Sequence, residues 1–305
     1  MISTKDLIKK RVLIIGSNGM LGQRLTEYFI KKNKFEIFCC SAEDESFYPD
    51  VEYKKINLAE KKDVKNLLRH FYPDVIINAA AYTNVDGCET NKELAWNINV
   101  LGVGYLAQFS RAFQSHLIHI SSDYVFDGKN GPYTEKDIPN PISYYGRSKL
   151  ASENVLKGSG SKYTIIRTNV LYGPAKFGRP DFVKWVVGSL KEGKEINIVT
   201  DQINNPTYLD DLVFAIGKII ELNKEGLYNI GGPEFLSRYD FTLRIARFFN
   251  LNKSLVNPIL TGELKQPAPR PLKSGLITLK AETELSYKPH SIEESLLLMQ
   301  KELNF

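Results

Sequence analysis

A short apolar run that leads directly into a glycine-rich turn constrains the fold of this chain more than any other feature. Residues 11–15 read Arg-Val-Leu-Ile-Ile, the pattern of a strand buried on both faces of a parallel sheet, and residues 23–31 have a helical pattern. Between them, glycines in a G-x-x-G-x-x-G pattern make a tight turn, admit a pyrophosphate against bare backbone and direct the helix amino terminus at its charge. The turn predicts dinucleotide contacts from Gly16, Ser17, Asn18, Gly19, Met20, Leu21 and Gly22.

Strand and helix patterns alternate through the first half of the chain. Strands are predicted at 35–40, 53–56, 74–78, 117–120 and 163–168, and helices at 63–71, 94–113 and 142–156. This alternation is typical of an α/β fold of the Rossmann type, a doubly wound parallel sheet. It loosens after Tyr172, so we expect a dinucleotide-binding domain over 1–172 and a smaller, mixed α/β substrate lobe over 173–305. Segments at about 200–232 are expected to return to the first domain.

Further cofactor contacts are expected where the predicted strands end. The second strand ends in Cys40 and Ser41, whereas an NAD-selective site usually has Asp or Glu at this point. Because Glu43 and Asp44 come slightly later, the pattern favours NADP or use of both cofactors. The adenine is expected beside the third strand and the ribose beside the fourth. The predicted contacts are Ser41, Asn57, Leu58, Ala79, Ala80, Ala81, Tyr82 and Asn99.

A tyrosine and a lysine four residues apart are the candidate catalytic pair. Tyr145 and Lys149 share one face of a predicted helix. An ammonium beside a phenol favours the phenolate, so we expect Lys149 to lower the pKa of Tyr145 and to suit it to proton transfer. Ser122 follows the fifth strand, at the edge where α/β sheets bind ligands, and Ser121 is the weaker alternative. Two surface residues on a helix, and a serine that caps a turn, are the structural alternatives.

Composition excludes several other classes of protein. The 305 residues are 43% hydrophobic and 25% charged, as in an ordinary globular protein, and the net charge of +5 is too small and scattered to indicate nucleic-acid binding. No apolar run is long enough for a membrane span. The chain has only three cysteines, two of them the neighbouring Cys39 and Cys40, which does not suggest a disulfide framework or a cysteine metal site. The four histidines lack metal-ligand spacing. We therefore expect a cytoplasmic protein with no metal site.

In this order the motifs resemble the extended short-chain dehydrogenase/reductase superfamily, and more narrowly the dTDP-4-dehydrorhamnose reductases and their sugar-nucleotide relatives. The resemblance covers most of the chain. Besides the glycine turn, it rests on Asn78–Asp86, Ser121–Gly128, Tyr145–Lys149, Ile166–Thr168, Asp201-Gln202, Pro206–Tyr208, Gly226–Asn229, and Arg270-Pro271 with Ser274.

The resemblance implies a NAD(P)H-dependent reduction of a nucleotide-linked 4-keto-6-deoxysugar, as in dTDP-rhamnose and polysaccharide biosynthesis. In such enzymes the tyrosine protonates the developing alkoxide, the lysine holds the nicotinamide ribose, and a hydroxyl binds the carbonyl oxygen. These roles correspond to Tyr145, Lys149 and Ser122. The same resemblance implies a substrate pocket that includes Asp123, Val125, Phe126 and Arg270, with the two apolar residues flanking the sugar and Arg270 meeting the diphosphate. A structural salt bridge is the alternative role for Arg270. A homodimer is compatible with the resemblance.

The chain also departs from the reductase pattern. Ser122 stands where the reductases often have threonine, which keeps the hydroxyl. Val170 stands where they tend to have tryptophan, a difference that bears on which sugar and which base are accepted. Two other functions share these motifs. One is a non-catalytic NADP-binding subunit like the β subunit of methionine adenosyltransferase, and the other is a nucleotide-sugar epimerase or dehydratase.

Overall fold

A computed structural model describes residues 9–303 of the chain. The predicted domain limits at residues 1 and 305 therefore lie outside the described residues. The strands are Lys10–Ile15 (β1), Phe35–Ser41 (β2), Glu52–Lys55 (β3), Val75–Asn78 (β4), His116–Ser122 (β5), Tyr163–Thr168 (β6), Leu171–Tyr172 (β7), Ile196–Val199 (β8), Ile203–Asn204 (β9), Thr207–Tyr208 (β10), Gly226–Asn229 (β11), Leu236–Ser237 (β12) and Val256–Ile259 (β13).

The helices alternate with these strands. They are Met20–Lys32 (α1), Lys61–Phe71 (α2), Val85–Thr90 (α3), Lys92–Trp96 (α4), Gly102–Phe113 (α5), Tyr144–Gly158 (α6), Phe182–Lys191 (α7), Leu209–Leu222 (α8), Arg238–Phe248 (α9), Leu279–Leu285 (α10) and Ile292–Leu303 (α11). Between residues 9 and 303, none of the helices is both long and apolar enough to cross a bilayer.

Seven strands form one parallel sheet in the order β11-β6-β5-β4-β1-β2-β3. The strand order reverses between β1 and β4, where an open α/β sheet binds its ligand beyond the carboxyl ends of the strands. The register aligns those ends, because Ile15 pairs with both Cys40 and Asn78, and Ser122 pairs with Thr168. The sheet therefore confirms the predicted Rossmann-type α/β fold.

Apolar layers cover both faces of this sheet. One layer includes α1 and α8 against Val12 and Ile14, and the other includes α2 and α5 against Leu13 and Ile15. Successive residues of β1 thus enter opposite cores, which explains why residues 11–15 form a continuous apolar run rather than an alternating one. This central strand fixes the position of the glycine turn that follows it.

The later part of the chain has a core of its own. Helices α7, α9 and α11 contribute buried residues to it, together with β8 and β13, which pair in parallel. Serines cap two of these helices: the Ser237 hydroxyl accepts from the Asp240 N–H, and Ser291 and Glu294 exchange hydrogen bonds as a capping box. Helix α9 consequently begins at Arg238, beside the carboxyl edge of the main sheet.

Candidate active site

A cleft of about 610 Å³ runs along the carboxyl edge of the sheet. At one end lie the glycine turn and the segment after β2, and at the other lie Asp123, Tyr145 and Lys149. The predicted site residues that line the cleft are Gly16, Gly19, Met20, Leu21, Ser41, Ala79, Ala80, Ala81, Ser121, Ser122, Asp123, Tyr145 and Lys149. Residues far apart in the sequence are therefore brought to one site.

The glycine turn has the shape that a dinucleotide needs. Gly16 has φ of 81°, in the left-handed region, and a Cβ there would lie 2.8 Å from the backbone nitrogen of Ala80. A Cβ at Gly22 would overlap the carbonyl oxygen of Gly16. The amino terminus of α1 follows at Met20, and no acidic residue lies in its first turn. Bare backbone and a positive helix end fit a pyrophosphate.

The two predicted hydroxyls meet at the other end of the cleft. Ser143 caps helix α6, because its side chain accepts from the Gly146 N–H, and this places Tyr145 in the first turn. The Tyr145 phenol lies beside the Ser122 hydroxyl, and its ring lies 5.7 Å from that of Tyr124, edge to face. Ser122 also donates to the Asp123 carboxylate at 3.0 Å. A carbonyl oxygen placed here would meet two hydroxyl donors.

Asp123 is a buried carboxylate next to this hydroxyl pair. Burial raises its pKa to about 6, although Ser274 donates to it at 2.5 Å and Ser122 donates as well. Asp123 lines the cleft, and its hydrogen bonds also connect the end of β5 to the segment around Ser274.

Lys149 does not act on Tyr145 in the predicted way. Its Nζ donates to the Ile120 carbonyl at 2.6 Å and lies 3.3 Å from His119 Nε2, and burial lowers its pKa to about 8. The pKa of Tyr145 is raised above its usual value by desolvation, and then by the nearby Asp123 charge. The prediction of a lowered tyrosine pKa is wrong for this state of the protein, because burial of the phenol dominates and the Lys149 ammonium is bonded to the Ile120 carbonyl instead. Tyr145 thus remains a protonated phenol at neutral pH.

A buried ion pair fixes α6 to the sheet beneath the site. Arg167 on β6 donates to Glu153 on α6 at 2.9 Å and 2.7 Å, and both side chains are almost completely buried. Ser121 donates to the same carboxylate at 2.7 Å. Its hydroxyl is already engaged, which makes Ser122 the better candidate of the two.

Several predicted contacts do not reach the cleft. Val125 and Phe126 are fully buried in a small core with Tyr133 and Leu276, and the Phe126 ring stacks on Tyr133 at 4.0 Å. This position corrects the prediction that the two residues flank the sugar, because the turn after Asp123 directs them into the protein interior.

The residues predicted to lie beside the adenine are also outside the cleft lining. Leu58 is a core residue, and the Asn57 side chain accepts from the N–H of Ala59 at 3.0 Å. The Leu58 carbonyl lies beneath Gly102, where an added Cβ would approach it to 2.9 Å. Leu58 therefore packs against the start of α5, and Asn57 stabilises the turn after β3, so neither lines the cleft.

A second group of predicted contacts supports the cleft from behind. Ser17 and Gly22 are buried in the glycine turn, and Asn18 donates to the Glu45 carbonyl at 2.8 Å. Asn99 lies in a π-helical turn, Asn97–Leu101, between α4 and α5. Its amide exchanges hydrogen bonds with the backbone of Tyr82 and donates to Ser148 on α6 at 3.0 Å. Asn99 thus holds the loop after β4 to the helix that carries Tyr145.

Arg270 forms a structural salt bridge, which was the alternative to a diphosphate contact. Both terminal nitrogens donate to the Asp86 carboxylate, at 2.6 Å and 2.7 Å, as a bidentate ion pair. Arg270 lines a neighbouring cavity of about 630 Å³ that also contains Lys129 and Lys273. In this structure it is a structural salt bridge outside the main cleft.

Several residues that line the cleft were not predicted as contacts, Arg238, Glu43 and Val170 among them. Arg238, at the start of α9, stacks over the Phe182 ring at 4.9 Å and lies close enough to Asp123 to lower its pKa. Glu43 lies at the glycine-turn end, and Val170 lines the cleft with Thr168 and Asn169. No local motif identifies Arg238, whereas Glu43 could have been found from its place just after β2.

Comparison with known proteins agrees with this geometry. A family model described as "RmlD substrate binding domain" matches residues 10–305. The dTDP-4-dehydrorhamnose reductase of Aggregatibacter actinomycetemcomitans is 33% identical over 298 residues, covering 94% of this chain and 97% of that protein. The rat methionine adenosyltransferase 2 subunit beta is 31% identical over 284 residues, covering 91% of this chain and 83% of that protein.

A solved structure has the same fold. The crystal structure of dTDP-4-dehydrorhamnose reductase from Bacillus anthracis str. Ames, in complex with NADP, superposes with a TM-score of 0.87 and 33% sequence identity. The match covers 97% of this chain and all of that one, at 100%. The similarity thus extends through the main sheet and the later part of the chain.

Proposed function

The chain belongs to the RmlD substrate binding domain family, within the extended short-chain dehydrogenase/reductase superfamily, and from this premise we propose its reaction. It is a NAD(P)H-dependent oxidoreductase that reduces the keto group of a nucleotide-linked 4-keto-6-deoxysugar, like dTDP-4-dehydrorhamnose reductase. The product would serve deoxysugar and polysaccharide biosynthesis.

One observation carries this proposal more than any other. The cleft that begins at the glycine turn ends at Ser122, Tyr145 and Lys149, so a cofactor site and a proton donor share one cavity. A dinucleotide lying along the sheet edge, with its pyrophosphate at the turn, would extend toward these three residues. The residues fit the cofactor in shape and in charge.

The chemistry requires charge to be stabilised on a single oxygen. When bound, the nicotinamide supplies a hydride to the keto carbon. Tyr145 gives its phenolic proton to the carbonyl oxygen as negative charge develops there, and Ser122 donates a second hydrogen bond. The Ser122 hydrogen, which points to Asp123 in the free protein, has to rotate toward the substrate. Lys149 binds the nicotinamide ribose and stabilises the phenolate that remains.

A guanidinium is expected to bind the diphosphate of the substrate. Arg238 faces the cleft, and among the described residues its guanidinium has no ion-pair partner, whereas Arg270 already holds Asp86. We therefore assign the diphosphate contact to Arg238 first. Arg270 retains this role only if the nucleotide displaces Asp86.

The alternative functions predict different behaviour of the cofactor. The similarity to methionine adenosyltransferase 2 subunit beta motivates the non-catalytic hypothesis, but an intact Ser122, Tyr145 and Lys149 set in one cleft favours catalysis. An epimerase or dehydratase would use the same residues and regenerate its cofactor. Net consumption of the cofactor separates the three hypotheses.

The test is oxidation of NADH and NADPH against a panel of nucleotide-linked keto-sugars. We expect sugar-dependent oxidation with one equivalent of alcohol formed per cofactor oxidised. Cofactor binding with no oxidation, together with capture of a stoichiometric enzyme partner, would instead establish a regulatory subunit. Conversion of the sugar without net oxidation would establish an epimerase or dehydratase.

The cysteines bear on the compartment in which the protein works. All three cysteines, Cys39, Cys40 and Cys88, are buried free thiols, which suits a reducing compartment such as the cytoplasm. A homodimer remains compatible with the family, and sedimentation of the purified protein would test it.

A further inference from the structure

A buried histidine beneath the cleft contacts Lys149, and the reaction proposed above does not use it. His119 lies on β5 and is 1% exposed, and its Nε2 lies 3.3 Å from Lys149 Nζ. Each nitrogen of a neutral imidazole is either a donor or an acceptor, so the effect of this contact depends on which nitrogen carries the hydrogen. The neighbours of His119 determine that position.

Asn78 determines the state of the Nδ1 atom. Its Oδ1 accepts from the Ala80 N–H at 3.2 Å, so the amide nitrogen of Asn78 is the atom that faces the imidazole, 3.2 Å from Nδ1. The flipped amide would place two donors against each other, its own nitrogen and the Ala80 N–H. Because an amide nitrogen only donates, Nδ1 of His119 has to accept and carries no hydrogen.

The hydrogen of the ring therefore lies on Nε2. Burial, and then the Lys149 charge, hold the pKa of His119 well below its usual value, so the ring is neutral. The Nε2–H donates to the Ser152 hydroxyl at 3.0 Å, and that hydroxyl donates in turn to the Lys149 carbonyl at 2.6 Å. Asn78 and Ser152 are as buried as His119. The hydrogen bonds thus run in one direction, from the loop after β4 to helix α6.

His119 in this state offers no acceptor to the Lys149 ammonium. Among the described residues, the acceptor within hydrogen-bonding distance of Nζ is then the Ile120 carbonyl alone, at 2.6 Å. An ammonium has three N–H donors, so two of them are available to a ligand in the cleft that Lys149 lines. An imidazole with its acceptor at Nε2 would instead draw one of these donors inward, toward the sheet.

We propose that His119 is a positioning residue that, as the neutral Nε2–H tautomer, keeps two Lys149 donors directed into the cleft toward the nicotinamide ribose. His119 itself does not line the cleft, so its effect passes through Lys149. The inference rests on the proposed function, in which Lys149 binds that ribose. Binding measurements separate the two, because they require no turnover.

Comparing each dinucleotide with its own fragment tests this role. NADH and NADPH, and the fragments ADP and 2′-phospho-ADP, which end before the nicotinamide ribose, are titrated into the wild type and two variants. His119→Phe keeps a ring without nitrogens, and should weaken binding of both dinucleotides at least about fivefold while fragment affinity stays unchanged. His119→Gln keeps a donor for Ser152 and an acceptor for Asn78, and should restore dinucleotide binding to within about twofold of the wild type.

His116→Phe is the matched control on the same strand. His116 is also buried, lies 2.8 Å from the Thr164 hydroxyl through its Nε2, and does not line the cleft. Its substitution should leave the ratio of dinucleotide to fragment affinity unchanged. Equal weakening of dinucleotide and fragment in His119→Phe would overturn the proposal, because general damage to the fold would explain it. Wild-type affinity in His119→Phe, or the same change of ratio in His116→Phe, would overturn it as well.

The tautomer can be measured on the wild-type protein, whatever the stability of His119→Phe. ¹⁵N NMR of the imidazole rings, with the His119 signals assigned by their loss in His119→Gln, should show a hydrogen on Nε2 and none on Nδ1 at neutral pH. A hydrogen on Nδ1 would overturn the proposal. The expected His119 results without sugar-dependent oxidation by the wild type would overturn the reductase function alone. A wild type that binds neither dinucleotide would overturn both.

Discussion

Tyr145 carries the proton in this account, and its hydroxyl can be removed cleanly. Tyr145→Phe should lower kcat by about 10² to 10⁴, the usual contribution of a positioned general acid. The ring remains, so the dissociation constant for the cofactor should change little. Stopped-flow turnover and a cofactor titration measure the two effects separately.

The adjacent Tyr144 supplies the control for that substitution. Tyr144 lies on the same helical turn, with Lys92 over its ring at 5.6 Å, and does not line the cleft. Tyr144→Phe should retain wild-type turnover. Undiminished kcat in Tyr145→Phe would show that another group supplies the proton.

Lys149 should give the reaction an alkaline limit. Burial lowers its pKa to about 8, so the side chain is charged below that pH and loses its proton as the pH rises through it. We expect cofactor affinity to fall above about pH 8, because the neutral amine binds the ribose and stabilises a phenolate less well. Titrations from pH 6 to pH 10 on Tyr145→Phe isolate this effect from proton transfer. A flat affinity across that range would contradict the assignment.

At the residue scale, sequence reasoning identified chemical groups better than their surroundings. Ser122, Tyr145 and Lys149 were predicted together, because each has a fixed place on a strand end or a helix face. The direction of the Tyr145 pKa shift was not predicted correctly, because desolvation depends on atoms contributed by several distant segments. Val125 and Phe126 were misplaced for a similar reason, since a single turn after β5 decides which side chains enter the core.

At the scale of the element, the glycine turn and α1 form the proposed cofactor site. Gly22→Ala would place a methyl group against the Gly16 carbonyl, so the helix or the turn has to move. We expect a loss of about 1–3 kcal/mol in the free energy of unfolding, as for overpacking of a tight site, together with weaker cofactor binding. Urea unfolding and a cofactor titration measure both.

Gly188 provides the opposite case within a helix. It lies in α7, and a Cβ there would meet no atom within 4 Å. Gly188→Ala should therefore stabilise the protein by about 0.5–1 kcal/mol, through helix propensity alone. If both alanine substitutions had the same effect, the close packing of the turn would not be the reason for its glycines.

Some elements were predictable to the residue, and others were modified by their contacts. Strand β6 has the predicted limits, since turn-forming residues flank it. The long helix predicted over 94–113 contains a π-helical turn at Asn97–Leu101, where Asn99 bonds to Tyr82 and Ser148. Hydrophobic periodicity cannot reveal such a turn, because the partners that stabilise it come from elsewhere in the chain.

At the scale of the whole molecule, the proposed substrate site combines the sheet edge with the later core. Arg238 begins α9, which belongs to that later core, yet its side chain lines the cleft. Arg238→Gln should raise KM for the nucleotide-sugar at least about tenfold, since a charge-assisted contact to phosphate is lost. The dissociation constant for the cofactor should not change. Steady-state kinetics and a cofactor titration measure the two.

Arg244 offers the control on the same helix. It pairs with Glu234 and does not line the cleft, so Arg244→Gln should leave KM for the sugar near the wild-type value. A cofactor affinity reduced as strongly as sugar affinity in Arg238→Gln would place the guanidinium on the dinucleotide. Long-range placement of this kind is the part of the site that a single sequence did not predict.

Transfer of deuterium from the cofactor to the sugar tests the central claim most directly. The protein is incubated with NADH or NADPH deuterated at the transferred position of nicotinamide carbon 4 and with a nucleotide-linked 4-keto-6-deoxysugar, and the product is analysed by NMR and mass spectrometry. A reductase should place one deuterium on carbon 4 of the sugar for each cofactor molecule oxidised, with the new hydroxyl proton coming from Tyr145. Recovery of both cofactors unoxidised, or of a sugar product without deuterium at carbon 4, would contradict the account.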